Sequence, residues 1–100
     1  MSSSEKQDAA EELAKLLAES ATATALWPTE ADRRVVAERV AERYRPDPER
    51  GKWRVQAFAH DPTSTKLFVV KRAEHDVYSD PLKAKAKAVA NALNALEERR

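Results

Sequence analysis

A chain of 100 residues has the length of one domain, and its 42% apolar content supports a single core. A formal net charge of +1, with 35% charged residues, lacks the basic balance of a dedicated nucleic-acid binder, and the absence of cysteine excludes disulfides, thiol catalysis and zinc-thiolate sites. Met1 to Lys6 has neither the basic start nor the apolar core of a signal peptide, and no apolar run is long enough to span a bilayer, so the expected location is the cytoplasm and not a membrane.

Residues 5–19 place Ala9, Ala10, Leu13, Leu16 and Leu17 at helical spacing, which predicts a short amphipathic helix. Five acids against Lys6 and Lys15 give the first twenty residues a net charge of −3, leaving +4 for the rest. Ser20 to Ala25 alternates alanine with threonine and carries no stripe, so it reads as a connector. These observations divide the chain into an acidic helix with connector over 1–25 and a body over 26–100.

The body begins with Thr29, a good N-cap, whose third helical position is Asp32, a weak variant of the capping box. Val36, Val40 and Tyr44, broadened by Ala37 and Ala41, form the apolar line of a second helix, which Pro46 must end near Arg45. The chain's single glycine, Gly51, closes the turn-rich link that follows.

From Trp53 the period becomes two: Trp53, Val55, Ala57 and Ala59 alternate with Arg54, Gln56, Phe58 and His60, the pattern of a strand. Asp61 to Thr65 is the predicted hairpin loop. The return strand, Lys66 to Ala73, has Leu67 and Val69 on one face and Phe68 and Val70 on the other, so both faces require cover. Glu74 to Asp76 reads as a turn before a short strand, Val77-Tyr78.

Asp80 as N-cap followed by Pro81 at the first helical position predicts the start of the last helix. Leu82, Ala86, Val89, Leu93 and Leu96 fall at steps of four, three, four and three along a single seam, and Glu97 to Arg100 reads as a solvated end. The expected class is α+β in the order ααβββα.

Chemistry-bearing residues are sparse. His60 and His75 each precede an aspartate, the raw material of a general base or a metal site, yet both fall in predicted turns and nothing completes a site around them. Trp53 and Tyr78 are stacking candidates whose ordinary place is the core. Lys71, Arg72, Lys83, Lys85 and Lys87 could meet phosphates at the start of the last helix, or form a solvated face.

The order of elements from Thr29 onward, with Ala84-Lys85, Ala88 and Ala92-Leu93 in the last helix, resembles the double-stranded-RNA-binding domain. Pro81 and Leu82 stand where that family has its lysine pair, and His60-Asp61-Pro62 is the nearest approach to its Gly-Pro-x-His loop. Trp53-Arg54-Val55 through Leu93 is similar to the AP2-like arm-binding domain of phage integrases. The Trp-x-Val strand, the Phe-Val-Val strand, Val-Tyr-Ser-Asp and the Ala-Leu-Asn helix end resemble small proteins of actinobacterial phages.

The sequence reading is a non-catalytic interaction module of phage or mobile-element type, with no cofactor, metal or small-molecule substrate. Protein contact, by self-association as a homodimer or by docking on a host factor, is expected through Leu13, Leu16, Leu17, Leu67 and Val69. The alternative is weak binding of double-stranded nucleic acid through Lys71, Arg72, Lys83, Lys85 and Lys87. Because the first helix needs a place to bury its leucines and one sheet face lacks cover, residues 5–19 are expected over that second face, in their own chain or in a symmetry mate.

Overall fold

The computed structural model describes residues 3–45, 51–59, 63 and 66–99. Its elements are α1 (Ser3–Glu19), α2 (Ala21–Leu26), α3 (Glu30–Arg43), β1 (Arg54–Phe58), β2 (Leu67–Arg72), β3 (His75–Asp80) and α4 (Lys83–Glu98). The class is α+β, with the helices of the N-terminal half followed by an antiparallel three-stranded sheet in the order β1-β2-β3 and a C-terminal helix. Among the described residues no helix is long and apolar enough to cross a membrane.

The stretch expected as a connector is helical. The Ser20 hydroxyl accepts from the Ala23 N–H at 3.2 Å and so caps α2, while the Thr24 hydroxyl folds back onto the Ser20 carbonyl at 2.8 Å. These short polar side chains supply the local hydrogen bonds that a six-residue helix needs at its start. Ala23 is fully buried and Trp27 nearly so, which pins this corner to the body.

That corner directs α1 away from the sheet, so residues 5–19 do not cover its second face. Instead α1 packs on α3 and α4. Leu13, Leu16 and Leu17 share one core with Val36, Ala37, Val40, Ala41, Val89 and Leu93. The physical reason is shape: Ala37 and Ala41 of α3 and Ala88 and Ala92 of α4, all buried, let the helices approach closely enough to enclose the leucines. The same core draws on residues from both sides of residue 25.

In α3 the Thr29 hydroxyl accepts from the Asp32 N–H at 3.1 Å, the expected cap. Antiparallel β1 and β2 pair Val55 with Val70 and Gln56 with Val69, without a bulge. The β2-β3 turn falls at Ala73-Glu74, with Ala73 at φ 54°, so β3 starts at His75, earlier than the sequence suggests. Between β2 and β3 the register shifts at Val70/Lys71, where Val77 is the extra residue, and it is buried.

The start of α4 also differs from expectation. Leu82 is its N-cap, without a side-chain cap bond, and Asp80 instead accepts from the Leu82 N–H at 2.8 Å and from the Tyr78 hydroxyl at 2.9 Å. Outside the helix, Leu82 is 47% exposed, whereas Ala86, Val89, Leu93 and Leu96 are buried as the seam predicts.

Candidate interaction surface

Alternation along the strands sorts the sheet into two faces. Phe68, Val70 and Arg72 of β2 face α4, which packs beneath all three strands. Leu67, Val69 and Lys71 lie on the other face, beside Phe58, Gln56 and Arg54 of β1. This second face is open: Phe58 is 51% exposed and Leu67 39%.

The expected nucleic-acid residues do not form one patch. Arg72 is 3% exposed and closed in on every side. One guanidinium nitrogen donates to both Glu97 oxygens, at 2.5 and 2.8 Å, and the other donates to the Arg45 carbonyl at 2.5 Å. The guanidinium carbon lies 4.3 Å from the Trp53 ring centroid, a stacked cation. Arg72 therefore ties β2, α4 and the end of α3 together and presents nothing to a phosphate. The sheet separates Lys71, on the open face opposite Asp76, from the lysines of α4. Of those, Lys85 lies 5.8 Å from the Trp27 ring centroid, while Lys83 and Lys87 are exposed.

Glu97, expected at a solvated helix end, is the partner that makes the burial of Arg72 possible, and it also accepts from the Tyr44 hydroxyl at 3.2 Å. Trp53 is 3% exposed and stacks inside the domain, so it offers no platform for bases. Burial first, then the hydrogen bond to Asp80 and the charge of that carboxylate, push the Tyr78 hydroxyl well above the ordinary phenol range, with Arg39 opposing. Tyr78 is thus held as a donor. His75 lies in β3 rather than a turn and donates from Nε2 to the Arg43 carbonyl at the end of α3. His60 lies outside the described residues.

Of the expected contact residues, Leu13, Leu16 and Leu17 are consumed by the core, and Leu67 and Val69 remain on the open face. There, a groove of about 370 Å³ has Arg39, Glu42 and Arg43 of α3 as one wall and Leu67, Val69 and Ser79 across its floor. Val69 and Asp76 also line an adjoining hollow of about 260 Å³ with Gln56, Phe58 and Lys71. The two share Val69 and Asp76, and each sets apolar side chains beside charged ones. Phe58 was legible in the sequence, because it stands at the opposite parity to Trp53 and Val55.

Asn94 carried no signal in the sequence, yet it closes the end of β1. Its carboxamide oxygen accepts from the Trp53 N–H at 2.8 Å and its nitrogen donates to the Trp53 carbonyl at 3.1 Å. Together these bonds do for Trp53 what a neighbouring strand would do.

No protein-family model, no curated protein and no solved structure matches the chain.

Proposed function

We propose that this domain is a non-catalytic interaction module that works by protein contact, and that the contact is made on the open sheet face. The observation that carries the reading is the exposure of Leu67 and Phe58 on a face that α4 does not cover and α3 only flanks. Exposed apolar side chains grouped on one rigid element are the usual basis of a protein contact, and a polar rim such as Arg39, Glu42, Arg43, Lys71 and Asp76 surrounds such floors. The duplex reading loses support from the enclosure of Arg72 and from the separation of Lys71 from the α4 lysines.

The test is Leu67→Asp, at an exposed position where the charge can be solvated without unfolding the domain. Capture of partners on immobilised protein is expected to fall while the unfolding midpoint stays unchanged. Capture of a partner other than a second copy that is indifferent to this substitution would overturn the reading. So would duplex binding that weakens steeply with salt and is unaffected by Leu67→Asp.

A further inference from the structure

We infer that two copies of this chain associate by antiparallel pairing of β1 with β1, joining their sheets edge to edge. The inference goes beyond the open-face reading: it concerns the β1 edge of the sheet and does not involve Leu67.

The two edges of the sheet are treated differently. The β3 edge carries the bulge at Val77 and packs against α3, two devices that prevent strand addition. Among the described residues the β1 edge has neither: its pairing with β2 runs without a register shift, Arg54–Phe58 contains no proline, and its α4-side face carries only half-buried Val55 and exposed Ala57, with no charge. Asn94 engages both backbone groups of Trp53, so that residue's N–H and C=O point away from β2. In a strand the backbone groups of alternate residues point the same way, which turns those of Val55 and Ala57 outward as well. Asn94 thereby ends the available edge at Trp53 and fixes where a partner strand can sit.

Within that window β1 is complementary to itself. A two-fold axis at Gln56 pairs Val55 with Ala57 of the second copy, through the outward backbone groups, and Gln56 with its own counterpart. On the open face it sets Arg54 across from Phe58 of the second copy, a cation beside an aromatic ring instead of a cation beside a cation. The seam on the open face is then Gln56 against its counterpart, flanked by the two Arg54–Phe58 pairs.

The experiment measures the mass of the full chain by sedimentation equilibrium, where the dimer has twice the 11.2 kDa of one chain. Gln56→Lys and Gln56→Glu each place like charges opposite one another at the axis. Each alone is expected to weaken the dimer on the order of five-fold, and an equimolar mixture of the two to restore it. Ala57→Pro, which removes an outward N–H, is expected to abolish the dimer with the circular dichroism spectrum unchanged; if that variant does not fold, the Gln56 pair decides. A wild-type chain that stays monomeric at millimolar concentration overturns the inference, as does a dimer that both Gln56 variants leave unaltered. A monomer that still captures a protein in a Leu67-dependent manner overturns edge pairing and leaves the protein-contact reading standing.

Discussion

Arg72 and Glu97 are the residues whose surroundings contradict their local sequence most. Each stands among charged neighbours near the end of an element, where solvation is the ordinary outcome, and each is enclosed because the other is present. Arg72→Met strands the Glu97 carboxylate inside the domain and is expected to lower stability by about 3 to 5 kcal/mol. Arg72→Met combined with Glu97→Leu should recover much of that loss, since no charge is then left without a partner. Urea unfolding of the two single variants and the double variant measures the coupling. A single-variant loss of only about 0 to 1 kcal/mol, the range of an exposed pair such as Arg99–Glu19, would show that Arg72 is solvated in solution.

At the scale of the element, α4 separates a helical seam from the residue that merely precedes it. Leu93 is fully buried in the core, and Leu93→Ala is expected to cost about 2 to 5 kcal/mol. Leu82 continues the same spacing by one step but sits at the N-cap and is 47% exposed. Leu82→Ala is therefore expected to change stability by no more than about 0.5 kcal/mol. Equal losses at the two positions, read from thermal unfolding, would mean that the first turn extends back to Asp80 and buries Leu82.

For the whole molecule, the decisive arrangement is α1 laid across α3 and α4. Deleting residues 1–25 removes Leu13, Leu16, Leu17 and Ala23, and uncovers Val36, Ala37, Val40 and Ala41. The truncated chain is expected to aggregate or to lose cooperative unfolding, as followed by light scattering and by circular dichroism on heating. A remainder that stays soluble and unfolds at the parent's temperature would show α1 to be an appendage.

The sequence by itself determined what depends on near neighbours along the chain. The period of 3.6 placed α1, α3 and the seam of α4, the period of two placed β1 and β2, and Thr29 announced its cap because the bonds concerned reach only three residues. Strand parity already put Leu67 and Val69 on one face of β2 and Phe58 on the face of β1 opposite Val55, and the register between the strands then joined the two faces. Tertiary structure alone decided which surface α1 covers, because its leucines fit any apolar partner of suitable shape and only the alanine-lined faces of α3 and α4 admit them closely. It also decided the fate of Arg72, Glu97, Trp53 and Asn94, whose bonds span 25 and 41 residues. Charge and hydrogen-bonding capacity are visible in a residue's name, whereas the partner that satisfies them is fixed only when distant segments meet.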